Sequence, residues 1–181
     1  MGVRRTASLR VETGNVLAMG AAVALSAAAR YPRPCLGPVL SRPAWLNGSM
    51  STTAVAGYTE AARLLQDASS PDSALRKLQM SDIYRELAAV RADAGKSLSG
   101  QVCCVVSDPS LRGAAIARLR SLPAGQSGLD LNSVSAINVS TLIMATPNDP
   151  IYPVSFAEAL AGAIPHASLE KLAPKTGKAR R

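Results

Sequence analysis

One carboxylate in this sequence stands where α/β proteins collect their chemistry. Asp149 follows the β-branched and apolar run Val139-Ser140-Thr141-Leu142-Ile143-Met144-Ala145 and lies within Thr146-Pro147-Asn148-Asp149-Pro150. The first stretch reads as a buried strand and the second as a sharp turn. An acid at the carboxyl end of such a strand can serve a site. The same residue can equally do no more than close an Asx-type turn beside Pro150. This stretch alone leaves both readings open.

The elements that would position Asp149 follow from the flanking residues. Pro153 suits a first helical residue, and Phe156, Leu160 and Ala163 or Ile164 then fall at helical spacing. Ala167 to Leu172 reads as a second short strand after Pro165. Strand, acid loop, helix and strand make half of an α/β unit.

The 181 residues suffice for one domain with a sizeable core, and 48% hydrophobic content argues for a globular chain. Aromatic residues make up only 3%, and alanine supplies much of the apolar total, so the expected core is modest. The formal net charge is +8. Arg4, Arg5 and Arg10 gather at one end and Lys171, Lys175, Lys178, Arg180 and Arg181 at the other, which reads as solvated tails. No nucleic-acid motif accompanies them, and no nucleic-acid partner is expected. Cys35, Cys103 and Cys104 form no C-x-x-C pair and fit a reducing, cytoplasmic setting. The longest apolar stretch, Val16 to Ala29, is shorter than the roughly 20 residues of a membrane span, so no membrane association is expected. The start Met1-Gly2-Val3-Arg4-Arg5-Thr6 matches a myristoylation pattern only loosely, and the sequons at Asn47 and Asn138 mean little without a signal peptide.

In chain order, Val11 to Leu17 reads as a weak strand and Ala18 to Arg30 as a helix of small residues before Tyr31-Pro32. Val55, Tyr58, Ala62 and Leu65 form one helical stripe, Ile83, Leu87 and Val90 another, and Leu111, Ala115, Leu119 and Leu122 a third. Ser70-Pro71 and Asp108-Pro109 each place a capping residue before a first-turn proline. Pro123 to Ser135 reads as a connector. Gly95-Lys96-Ser97 is no phosphate loop, because Val90 stands where the first glycine is needed.

Three separated stretches carry a resemblance. Met19-Gly20-Ala21-Ala22-Val23-Ala24-Leu25 with Tyr31-Pro32 resembles the nucleophile-elbow helix of the α/β-hydrolase superfamily, bacterial members above all. Ser41-Arg42-Pro43-Ala44-Trp45-Leu46 resembles the family's next strand and loop, and Asn148-Asp149-Pro150-Ile151-Tyr152-Pro153 its acid turn. The resemblance covers residues 16 to 174, the middle and back of a domain. It implies a partial α/β-hydrolase fold, a parallel sheet flanked by helices with a helical cap inserted. Residues 1–49 would hold the elbow and the next core strand, 50–122 the cap, 123–174 the acid-bearing part and 175–181 a basic tail.

The family activity so implied is hydrolysis of ester- or amide-type acyl bonds without a cofactor or metal. Asp149 falls at the triad acid position, Met19 at the position of an oxyanion-hole amide, and Trp45 near the substrate pocket or as a core anchor under the helices. Two departures fall on the chemistry. Val16 replaces the first elbow glycine, and Ala18 stands at the nucleophile position with no hydroxyl to attack. A triad also needs a histidine after the acid. The only one here, His166, opens the last strand, where the resemblance points it away from the acid. Pro38, inside the expected strand, should interrupt it. The expectation is a truncated, degenerate hydrolase taking at most a small acyl substrate or ligand. The alternatives are a non-catalytic ligand- or partner-binding protein, self-associating through an exposed sheet edge, and a fragment of a longer active enzyme.

Overall fold

In the computed structural model the described residues are 15–17, 19–31, 37–45, 48–125, 128 and 130–173, with the backbone alone for 15–17 and 19. Four parallel strands lie side by side in chain order: β1 (Asn15–Leu17), β2 (Val39–Ser41), β3 (Thr141–Ala145) and β4 (Ala167–Lys171). Helix α1 (Met19–Arg30) links β1 to β2, and α8 (Val154–Ala163) links β3 to β4. The long excursion between β2 and β3 is helical. It comprises α2 (Thr52–Asp67), α3 (Pro71–Met80), α4 (Asp82–Val90), α5 (Ala92–Ser107), α6 (Arg112–Ala124) and the short α7 (Leu131–Ser135).

Two apolar clusters follow from this layout. Leu40 and Ile143, paired across β2 and β3, share one face of the sheet with Ala145. Ala21, Leu25 and Ala28 of α1, Val134 of α7 and Leu160 of α8 pack against them. The other cluster is built within α2 to α6 around Leu65, Leu78, Leu87, Leu98 and Val102, and it also takes in Trp45, Ile151 and Tyr152. The loops after β2 and β3 therefore insert into the helical cluster and seat it at the carboxyl end of the sheet.

Local signals account for most boundaries. Ser51, Ser70 and Ser81 cap α2, α3 and α4 by accepting backbone N–H groups with their hydroxyls. Asp108 caps the 3-10 turn Pro109–Leu111 in the same way. Met50 N–H donates to Pro123 C=O at 3.0 Å, tying the entry of the helical excursion to the end of α6.

Several expectations need adjusting. Pro153 is the N-cap of α8 rather than its first helical residue, because its ψ of 135° is still extended. Pro38 ends up just before β2, where its missing N–H removes no ladder bond and its carbonyl accepts from Leu142 at 3.1 Å. Val90 ends α4 with 58% of its surface exposed, and Leu111 lies exposed in the 3-10 turn, so neither completes its stripe. Pro123 remains within α6, and the supposed connector contains α7, started by Asp130 accepting from Ser133 N–H. Residues 11–14 of the expected first strand lie outside the described residues.

Candidate functional site

Asp149 is 7% exposed, and its position is set by the turn after β3. Asn148 adopts φ +57°, a left-handed conformation asparagine tolerates better than most residues. Asp149 Oδ1 then accepts the N–H groups of Ile151 and Tyr152, each at 3.0 Å. This is the Asx-type turn read as one alternative from the sequence. Ser51 stitches the turn to α2 by directing its hydroxyl at the carbonyls of Pro150 and Ile151, at 3.1 and 3.2 Å, while capping that helix.

The second carboxylate oxygen faces a cation. Arg42 Nη1 lies 3.5 Å from Asp149 Oδ2 and 3.8 Å from Asp93 Oδ2. Its guanidinium carbon sits 5.0 Å from the centre of the Tyr152 ring, within cation–π range. Arg42 has φ +52°, and its N–H donates to Met144 C=O at 2.8 Å, continuing the β2–β3 pairing one residue past the strand. Asp93, at the start of α5, is gripped by Arg91 Nε at 2.9 Å and Nη2 at 2.6 Å. Arg91 Nη1 reaches Pro147 C=O at 3.3 Å. The hydrogen bonds from Arg91, aided by the charges of Arg91 and Arg42 and opposed by burial, hold the Asp93 carboxyl below the usual range. Two arginines and two aspartates thus balance one another where the acid loop meets the helices.

His166 lies elsewhere. It is exposed and immediately precedes β4, and its carbonyl accepts Thr141 N–H at the amino end of β3. Asp149 follows the carboxyl end of that strand. At about 3.3 Å per residue, the length of β3 separates the two, roughly 13 Å along the strand direction. Ala18 lies outside the described residues. Met19 begins α1, where the first N–H groups of a helix have no partner within it.

Gly20, next along α1, lines a cavity of about 210 Å³ together with Trp45 and Tyr152. Ala44 and Met50 precede α2, and the rest of its wall comes from the helices: Tyr58 of α2, Gln101 of α5, and Arg118, Leu119 and Leu122 of α6. Burial, with the neighbouring Tyr152 next in effect, pushes the Tyr58 hydroxyl well above its ordinary pKa, so it stays a neutral donor. Trp45 belongs to the helical cluster and lines this cavity, so anchoring and lining describe the same side chain. Its Nε1–H is buried with no acceptor among the described residues, a donor whose desolvation costs about 1–3 kcal/mol if it stays unpaired. A shallower cavity of about 480 Å³ lies along α1, beside Val23, Ser26 and Arg30, with Trp45 at its side.

Sequence reasoning missed Arg42, Arg91, Asp93, Gln101 and Arg118 as site residues. Arg42 was visible only as part of the Ser41–Leu46 stretch, and nothing local to Arg118 marks it as facing a cavity. Among the described residues no three His, Cys, Asp or Glu side chains gather as a metal site. No helix among them is long and apolar enough to cross a membrane.

No protein-family model matches the chain, and no curated protein matches it. Solved structures do. One is a meta-cleavage product hydrolase from Pseudomonas fluorescens, with TM-score 0.60 and 19% identity, covering 91% of this chain and 58% of that one. Another is a 2-hydroxy-6-oxo-6-phenylhexa-2,4-dienoate hydrolase from Rhodococcus, with TM-score 0.58 and 21% identity, covering 90% and 57%. A serine hydrolase from the polyaromatic-hydrocarbon-degrading Cycloclasticus zankles gives TM-score 0.57 and 18% identity, covering 90% and 56%. The chain therefore has the α/β-hydrolase fold, and it spans a little over half the length of these proteins.

Proposed function

We propose that this α/β-hydrolase-like chain binds a small acyl ligand at the carboxyl end of its sheet and does not hydrolyse it. The observation that carries this reading is the state of Asp149. Its two oxygens are taken by two backbone N–H groups and by Arg42, while the only histidine of the sequence stands at the far end of β3. A triad acid orients an imidazole and stabilises its charged form, and no imidazole is within reach of this carboxylate.

In this reading Asp149 occupies the acid position structurally, Ala18 leaves the nucleophile position without an attacking oxygen, and the N–H of Met19 remains as a donor at the start of α1. Trp45 walls the ligand pocket, and α2 to α6 act as the cap. Fold similarity at about 20% identity supports the scaffold, not the chemistry. The test is hydrolysis of short p-nitrophenyl esters by purified protein. The rate should equal that of buffer, and Ala18→Ser alone should not raise it, since a serine there still lacks a base. Saturable turnover by the natural sequence would overturn the reading.

A second reading rests on the span of the match. The outer side of β1 has no strand partner among the described residues, and the solved relatives are nearly twice as long. The scaffold would then act together with further chain or with a second copy paired along that edge. Sedimentation showing a dimer that also binds ligand would favour it.

A further inference from the structure

We infer that the cavity beneath the helices selects a short-chain carboxylate, with Arg118 as its anion-recognising residue. This deepens the proposed binding role and rests on that reading. The lining residues include four that bear polar donors, Arg118, Tyr58, Tyr152 and Gln101, besides Trp45, and no acid. The nearby carboxylates Asp93 and Asp149 are already matched by Arg91 and Arg42. Arg118 has no carboxylate partner among the described residues, and its one side-chain hydrogen bond there is a long 3.8 Å approach to Cys104 Sγ. A planar guanidinium in this position presents a fork that fits a carboxylate bidentately.

The rest of the site sets the ligand's size and tail. Ala44, Met50, Leu119 and Leu122 give an apolar floor. The volume of about 210 Å³ lies below the roughly 300–1,000 Å³ of drug-sized pockets, which leaves room for a short aliphatic chain and little more. The unpartnered Trp45 Nε1–H belongs to a side chain of the same wall, and a ligand oxygen shifting toward the indole edge would satisfy it.

Trp45 is the only tryptophan and borders both cavities, so its fluorescence and its single indole N–H resonance report binding in either, and only the Arg118 variants assign the signal to this one. The 181-residue chain is titrated with hexanoate and, in parallel, with the isosteric neutral hexanamide. Hexanoate should shift the indole signal saturably and bind roughly tenfold or more tightly than hexanamide. Arg118→Gln should abolish that preference and Arg118→Lys should retain part of it. Arg120→Gln, on the same helix but outside the cavity, should leave it unchanged. Arg118 is exposed, and an unaltered melting temperature for each variant separates lost binding from lost fold. Equal binding of acid and amide, an unaffected Arg118→Gln, or no saturable shift would overturn the assignment while leaving the absence of hydrolysis intact. Turnover of esters would instead remove the reading on which it rests.

Discussion

Arg42 Nη1 stands 3.5 Å from Asp149 Oδ2, so an arginine after β2 faces the buried carboxylate that closes the turn after β3. The pair joins the ends of two adjacent strands. Through Asp93 and Arg91 it also reaches the junction of α4 and α5, so one charge network holds the helices to the sheet. Asp149 here is an organiser of structure, and that role can be tested apart from any ligand.

Replacing Arg42 should separate charge from backbone strain. Arg42→Ala leaves Asp149 buried without its cation, and because the Arg42 side chain is 27% exposed the cost should be about 1–3 kcal/mol. Arg42→Gly loses the same cation but relieves the left-handed φ of +52°, so it should be more stable than the alanine variant by about 1 kcal/mol. Urea unfolding of both variants reads the difference, and an alanine variant as stable as the glycine one would contradict the strained geometry.

At Asp149 the hydrogen bonds and the charge can be removed in turn. Asp149→Asn keeps an oxygen for the N–H groups of Ile151 and Tyr152 and should cost about 1 kcal/mol. Asp149→Ala strands both buried donors and should cost roughly 2–4 kcal/mol. The gap between the two variants in chemical denaturation measures the turn.

Acid should loosen the network through Asp93. Its folded pKa lies below the unfolded value, so it contributes stability above that unfolded value of about 3.9, and the contribution fades as pH falls toward the depressed folded one. The denaturation midpoint of the natural protein should therefore begin to drop below about pH 5 and go on falling past the unfolded value toward the depressed folded one. Asp93→Asn should flatten that limb, and parallel curves for the two would show that Asp93 does not contribute.

Gly37 and Gly100 predict opposite outcomes for the same substitution. A Cβ at Gly37 would lie 2.6 Å from Ser140 C=O, with φ at +156°, so Gly37→Ala should lose about 2–4 kcal/mol. Gly100 lies exposed in α5 with nothing within 4 Å of an added Cβ, and Gly100→Ala should gain about 0.5–1 kcal/mol. Thermal melts of the pair check both signs.

How far the sequence discloses this molecule depends on whether the signal is local. The strand at Thr141–Ala145, the helix after Pro153 and the caps at Ser70 and Asp108 are written in periodicity and turn chemistry, and they fold as read. Pro38 misleads, because a proline tolerated at a strand's first approach looks the same as one inside it. Val90 and Leu111 continue their stripes in spacing only, since each helix ends or tightens before the stripe can be buried. Asp149 could be singled out from its turn. Its partner Arg42 could not, because the pairing comes from strand register and from the left-handed turn after β2. The cavity draws its wall from residues between Gly20 and Tyr152, so tertiary packing alone brings Arg118 to Trp45.

The most direct test of the central claim is the intact mass of the protein after incubation with a fluorophosphonate that traps activated serines. The absence of an imidazole near Asp149, with alanine at residue 18, predicts an unmodified mass under conditions that fully label a serine hydrolase. A stoichiometric adduct on any residue of the 181 would contradict it, and the modified residue would identify the nucleophile.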